Sequence, residues 1–384
     1  MRLIFICNNY PPVVDGVGDY TSLLAHELYH RGHEVHVICK KDARIVAHTG
    51  SGVNVWPIVE NWTPGGCKNV FAIIASLQPD CVLLQYVPYG FNKWGVPLLL
   101  PVVISRINRQ CRVILTVHEP YIRLQWWPAK TFVIGQLQRI IMQLLGKAAD
   151  SVITSIDRYE KLIGKYIKKP IAIIPVPSNI IPVNVDADEL VLLKNTIAPG
   201  GEKIIATFGI RDHALLVEVI KSIVAKNTHV KVLVTGTVTN KQVYEPVKQW
   251  VHVTGYLPAA NIYRYLKVSD IFFLPDPIKN GNEGGASNKS GSLAAAFAAD
   301  LPFVGTRGDM NNQLLQVAPY VYLETADATI LSNRLIELLQ RTPLNGNVVF
   351  WEKYLSVPTV ALAYENILIN KEFSTPVPRP AHHV

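Results

Sequence analysis

The side chains able to do chemistry gather in two stretches of the chain. The richer one runs from Pro275 to Thr306, PDPIKNGNEGGASNKSGSLAAAFAADLPFVGT, where a polar, glycine-rich loop leads into a helix of very small residues, Ser292 to Ala299. A helix start offers amide groups that have no partner inside the helix, and small side chains let a bulky oxyanion come close to them. A diphosphate suits such a place. Lys289 would neutralise one charge, and Ser287, Asn288, Ser290, Gly291 and Ser292 would supply hydroxyl and amide hydrogen bonds. A flexible loop backed by a well-packed alanine helix is the other reading of the same residues. The second stretch is RVILTV (112–117) followed by His118, Glu119 and Pro120. A histidine at the carboxyl end of a strand projects out of the core and can hold or move a proton, whereas His26, His30, His33, His36 and His229 fall in patterns that ask for no chemistry.

Two glycines mark a third place. In NNYPPVVDGVGDYTSLLAHEL (8–28), Gly16 and Gly18 precede an amphipathic helix with Leu23, Leu24 and Leu28 on one side. Glycine there allows close approach of a phosphate or a sugar to the helix start; a tight turn capped by Asp19 or Thr21 is the alternative. The dinucleotide pattern GxGxxG is incomplete, since Thr21 occupies its third glycine position, which argues against a nicotinamide-binding domain.

These loops need strands to hold them. Short β-branched runs alternate with helical patterns: RLIFIC (2–7), EVHVIC (34–39), DCVLLQY (80–86), RVILTV (112–117) and DSVITS (150–155). After a proline-punctuated segment, 170–182, the alternation restarts with KIIATFG (203–209), VKVLVTG (230–236), VHVTG (251–255), DIFFLP (270–275) and PFVGT (302–306). Two α/β domains with parallel sheets are expected, with a cleft between the carboxyl ends of their strands. The 384 residues suit two cores, and 49% hydrophobic against 17% charged residues is far from a disordered composition. The longest apolar stretch, 94–107, is too short to cross a bilayer, and the N-terminus shows no cleavage signal. Five cysteines without CxxC spacing read as buried thiols in a reducing compartment. The net charge of +8 favours an anionic partner, but the cations are spread along the chain, so nucleic acid is not expected.

The segment PPVVDGVGDYTSLLAHELYHRGHEVHVIC resembles the opening of the retaining, nucleotide-sugar-dependent glycosyltransferases of family 4. LTVHEP (115–120), ADSVITS (149–155), IPVPSNI (174–180), VTGYL (253–257), SDIFFLP (269–275) and DLPFVGT (300–306) resemble later landmarks of that family in its own order. The resemblance implies an α/β protein of GT-B architecture, two Rossmann-like parallel-sheet domains facing a central cleft. Residues 1–170 would form the acceptor domain, 171–357 the nucleotide-sugar donor domain, and a C-terminal helix at about 358–384 would pack back on the first. It implies sugar transfer from a nucleotide-diphosphate donor to a glycan, lipid-linked or small-molecule acceptor, with retention, without a metal and with no cofactor beyond the donor as co-substrate. His118 would contact the donor sugar near the reacting carbon, and Tyr86, Tyr89, Trp94, Glu119 and Tyr121 would line the acceptor.

Two departures stand out. Many members carry two glutamates separated by seven residues; anchored on Leu301 and Pro302, those positions are Ser287 and Ala295, and Glu283 is the acid available to serve the donor sugar by a loop shift. The usual arginine of the first donor-domain loop is present as Arg211, but the lysine after it is missing, and a solvated cation at a helix start is the other reading of Arg211. A non-catalytic homologue binding a sugar nucleotide, and an epimerase, are the competing functions. Trp126, Trp127, Lys130, Arg139 and Lys147 either rest on an anionic headgroup layer or belong to a core helix with solvated cations. The expected location is cytoplasmic, at the inner face of the membrane.

Overall fold

The computed structural model describes residues 1–124, 129–209, 212–341 and 344–370. The chain forms two compact units, Met1–Pro175 with the segment from Val357, and Val176–Ser356. Each is built on a parallel sheet. In the first unit the strands are β1 (Arg2–Ile6), β2 (Glu34–Lys40), β3 (Asn54–Val59), β4 (Cys81–Tyr86), β5 (Arg112–Val117), β6 (Ser151–Thr154) and β7 (Ile171–Ile173). Their order is β3-β2-β1-β4-β5-β6-β7. Phe5 of β1 lies opposite Val37 on one side and Leu83 on the other. Helices cover both faces, so β4 is buried at every residue and reads as an unbroken apolar run.

The second unit contains β8 (Lys203–Phe208), β9 (Val230–Thr235), β10 (Val251–Gly255), β11 (Ile271–Leu274), the two-residue β12 (Ile278–Lys279) and β13 (Glu283–Gly284), β14 (Phe303–Thr306) and β15 (Val321–Glu324). The sheet order is β10-β9-β8-β11-β14-β15, and β12 pairs with β13 in a separate antiparallel ribbon. Ile205, Val232, Ile271, Phe273 and Val304 form one face of its core with Leu216, Ile220, Leu331 and Leu335 from two helices. On the other face the helix Gly291–Ala298 is buried from Ser292 onward, with Phe297 edge-on to both Phe303 and Phe350. Its small side chains let it lie close to the sheet. Both sheets reverse direction once, between β1 and β4 and between β8 and β11, which is where open parallel sheets take their ligands.

Five strands exceed the sequence expectation. β3 carries Pro57 and is an edge strand, where a missing N–H breaks no essential ladder bond. β7 pairs with β6, so the first unit extends to Pro175 instead of ending at 170. β15 pairs with β14, and β12 and β13 fold inside what read as a continuous loop. The helix Val357–Glu365 returns to the first unit. Glu365 accepts from Arg31 at 2.6 Å and pairs with the His33 imidazole at 2.8 Å, and the Tyr20 hydroxyl donates to that of Tyr364 at 2.9 Å.

Candidate active site

In the first unit, the loop after β1 is closed on itself by side chains. Asp15 caps the helix Gly16–His30, accepting from Val17 N at 2.9 Å and Gly18 N at 2.8 Å, while Asn9 donates to its other oxygen at 3.0 Å. The cap is Asp15, not Asp19 or Thr21; the Thr21 hydroxyl instead donates back to the Val17 carbonyl. A carboxylate thus already sits on the amides that an anion would use. Gly18 is required for packing: a Cβ there would stand 2.8 Å from the Asn9 carbonyl oxygen. Gly16 is exposed and meets nothing within 4 Å.

His118 follows β5 and is half-buried, its amide donating to the Tyr86 carbonyl at 3.0 Å. Its Nε2 lies 2.9 Å from Oε1 of the fully buried Gln85, and its ring meets the edge of Tyr20 with centroids 4.9 Å apart. The proposed acceptor residues separate by environment. Tyr86 is fully buried and stacked on Phe91, and burial pushes its hydroxyl pKa well up. Tyr121 spends its hydroxyl on the Leu162 carbonyl at 3.2 Å and lies under Arg139. Tyr89, Trp94 and Glu119 are exposed, with Lys93 and Lys130 over the Trp94 ring at 5.5 and 4.6 Å.

In the second unit, the loop from β11 to the helix Gly291–Ala298 is strapped in place before it reaches the helix. Gly284 and Gly285 have φ of +114° and +86°, and a Cβ on Gly284 would lie 2.1 Å from the Pro277 carbonyl oxygen. Gly284 N donates to Asp309 at 3.0 Å, and Asn311 donates to the Ala286 carbonyl at 2.6 Å. Glu283 lies on the β12–β13 ribbon, where it accepts from Asn280 at 2.9 Å.

Beyond these straps the loop turns inward. Ser287 is buried, and its hydroxyl oxygen accepts from Lys289 N at 3.3 Å. Asn288 is completely buried, and neither its carboxamide oxygen nor its nitrogen has a hydrogen-bond partner. Ser290 stands at the N-cap with extended backbone, yet makes no side-chain cap bond. The helix start therefore lacks a cap from its own N-cap side chain, unlike that of Gly16–His30. Ser292 lies against the end of β8: a Cβ on Gly209, whose φ is +68°, would be 2.6 Å from the Ser292 hydroxyl. Ser287, Asn288, Lys289, Ser290, Gly291 and Ser292 are thus gathered at the β8/β11 switch point. Arg211 lies outside the described residues.

Several participants carried little sequence signal. Gln85 and Thr116 are the polar interruptions of apolar strands, and Asp15 before a glycine-rich helix start is a cap pattern; these were readable in principle. Tyr364, 248 residues beyond Thr116, was not. Among the described residues no group of three or more histidine, cysteine, aspartate or glutamate side chains is placed to hold a metal ion.

The family comparisons follow the same division of the chain. Residues 15–177 match a glycosyl transferase 4-like domain, and residues 205–341 match the glycosyl transferases group 1. The chain is a glycosyltransferase and belongs to those with the GT-B fold. Solved structures of similar fold include HepE of Anabaena, with a TM-score of 0.65 at 12% identity over 96% of this chain and 100% of that one. A glycosyltransferase of Rickettsia africae gives 0.67 at 13% identity over 96% and 98%. WaaG, a glycosyltransferase involved in lipopolysaccharide biosynthesis, gives 0.62 at 13% identity over 96% and 99%. No curated protein matches the sequence significantly.

Proposed function

We propose that the second unit binds a nucleoside-diphosphate sugar through the Ser287–Ser292 loop and that the first unit presents the acceptor, a glycan, a lipid-linked saccharide or a small molecule. The observation that carries this reading is the helix start at Gly291, which Ser290 at its N-cap leaves without a side-chain cap bond, beside the buried, unpartnered amide of Asn288. Buried polar groups without partners are costly and call for an explanation, which a ligand at this loop would supply for Asn288. HepE has been solved with UDP, with UDP and glucose, and with UDP-glucose, which supports a nucleotide sugar as donor.

In this reading the helix amides and Lys289 meet the charge that grows on the departing diphosphate, and transfer is metal-independent. Retention follows if the departing phosphate takes the acceptor proton on the face it leaves. His118 holds a hydroxyl of the donor sugar, and Glu283 is the acidic candidate beside the donor loop. The test is a thermal-shift and turnover screen of uridine-, guanosine- and adenosine-diphosphate sugars, with Lys289→Ala and His118→Ala alongside. One donor that stabilises the protein and releases its nucleoside diphosphate slowly, with both substitutions abolishing release, is the expected result. Failure of every donor to bind would remove the site.

We further propose that the first unit rests on an anionic membrane from the cytoplasmic side. The helices Leu100–Asn108 and Ala129–Ala148 pack on each other and leave Val102, Val133, Ile140 and Leu144 exposed, with Trp94, Leu98 and Leu99 just before them. From 88 to 148 the sequence holds eight lysines and arginines against the single acid Glu119. Exposed apolar side chains on a segment rich in cations suit an anionic headgroup layer. Trp126 and Trp127 lie outside the described residues. No described helix is long and apolar enough to cross a membrane. Co-sedimentation with phosphatidylglycerol vesicles should be lost in Ile140→Ser/Leu144→Ser and weak with neutral vesicles; equal binding to both would count against the proposal.

A further inference from the structure

The carboxyl end of β8 carries a second group of polar side chains beside the Ser287–Ser292 loop. His213 opens the helix His213–Val224 and is half-buried, with Nδ1 2.6 Å from the hydroxyl of Tyr244 and the two rings edge-on, 5.7 Å between centroids. Tyr244 belongs to the helical segment Lys241–Trp250, which packs against this helix, and burial pushes its pKa up to about 12, so it keeps its proton near neutrality. A hydroxyl donates to a bare imidazole nitrogen or accepts from a protonated one, so Tyr244 holds the ring in either charge state. The two nitrogens of an imidazole point away from each other, and Nε2 of His213 has no hydrogen-bond partner among the described residues.

Two further features point to a ligand at this strand end. Thr207 is completely buried and its hydroxyl has no partner. Ile205, two residues earlier, packs with Leu216 and Ile220 of the same helix, so alternation along β8 turns Thr207 towards the first turn of that helix. Just beyond it, a Cβ on Gly209 would stand 2.6 Å from the Ser292 hydroxyl, which brings the start of the helix Gly291–Ala298 against the end of β8. Two orphaned buried side chains, Thr207 and Asn288, therefore belong to the two segments that meet here. The start of His213–Val224 is itself capped by a carboxylate, since Asp212 accepts from Leu215 N at 3.0 Å. A diphosphate at this place needs a cation to offset Asp212, and an imidazole can become one.

We infer that His213, oriented by Tyr244, is a further donor-binding residue whose Nε2–H donates to a phosphate oxygen of the nucleoside-diphosphate sugar. The assignment rests on the function proposed above and adds to it a donor group whose charge follows pH. Asp212 and Tyr244 are the titratable groups beside the ring; the helix Ala328–Leu339, which also packs on His213–Val224, makes its polar contacts from Ser332 and Asn333 to Ser222 and Lys226, near the other end. The protonated ring is the better partner of an anion, so donor binding weakens as pH rises through the imidazole range.

The experiment is calorimetric titration of the full chain with UDP-glucose, whose two phosphates stay ionised throughout, at about pH 6 and about pH 8.5, on either side of the imidazole range. Inorganic pyrophosphate is titrated alongside at neutral pH. The unaltered protein should bind UDP-glucose about tenfold more tightly at the lower pH. His213→Ala should lose about that factor there and bind equally at both pH values, and His213→Lys, charged at both, should bind tightly at both. Undiminished binding by His213→Ala overturns the inference, and so does a pH response that persists in His213→Lys. A loss in His213→Ala that His213→Lys does not restore at either pH also overturns it, by marking the ring as packing alone. If pyrophosphate binds and His213→Ala weakens it while UDP-, GDP- and ADP-glucose do not bind, the function proposed above fails and the anion site stands; if UDP-glucose binds and His213→Ala changes nothing, the function stands and this inference fails. Binding of neither removes both.

Discussion

Replacing Asn288 by leucine should stabilise the protein while weakening the nucleotide it is proposed to bind. Asn288 is completely buried with both carboxamide atoms unpartnered. A buried polar group without a partner costs about 1–3 kcal/mol, and leucine has the same number of side-chain heavy atoms with none to satisfy. Taking about 2 kcal/mol as the gain, and about 2–4 °C per kcal/mol for a unit of this size, the melting temperature without ligand should rise by about 4–8 °C. A hydrogen bond to a charged group is worth about 1.5–3 kcal/mol, so the affinity for UDP should fall roughly tenfold to a hundredfold. Calorimetry gives both quantities on one preparation. A variant that melts lower and binds UDP as tightly as the unaltered protein would refute the reasoning, because Asn288 would then be a satisfied packing residue.

The two glycines of the first loop should respond oppositely. Gly18→Ala pushes a methyl to 2.8 Å from a backbone carbonyl and should cost about 1–3 kcal/mol, whereas Gly16→Ala meets open space and should be neutral or gain up to about 1 kcal/mol; urea unfolding distinguishes them. Glu365 offers a pH test. Burial pushes its carboxyl up, but the bonds from Arg31 and His33 outweigh that and leave its pKa below the ordinary range. With the folded value depressed, its contribution is complete above the unfolded value of about 4.3 and fades as pH falls through the folded one. Glu365→Gln should therefore lower stability at neutral pH and flatten the acid limb of the stability curve, read by unfolding between pH 3 and 7.

The alternation of β-branched runs with amphipathic stretches made both sheets legible, since strands buried on two faces can hardly be anything else. Short or edge strands escaped: β3 is interrupted by Pro57, and β12 and β13 are two residues each inside a glycine-rich loop. The Ser287–Ser292 loop was visible as small and polar residues before an alanine helix. What could not be read was which helix start a side chain had already taken. Asp15 and Ser290 both stand at N-cap positions, yet the side chain of one caps its helix and that of the other does not. Tyr86 illustrates the converse: an aromatic residue at a strand end read as acceptor-lining, yet the short helix Pro88–Phe91 turns Phe91 onto it and seals it into the core.

The return of the last helix to the first unit means that the chain passes between its two units twice, after Pro175 and again after Ser356. During synthesis the first unit emerges early, yet Arg31, His33, Tyr20 and Thr116 must wait for their partners on the last helix until the whole second unit has been made. A chimera that exchanges the units at Pro175 alone would leave Tyr364 and Glu365 attached to the wrong partner, so any exchange of the second unit must carry two junctions.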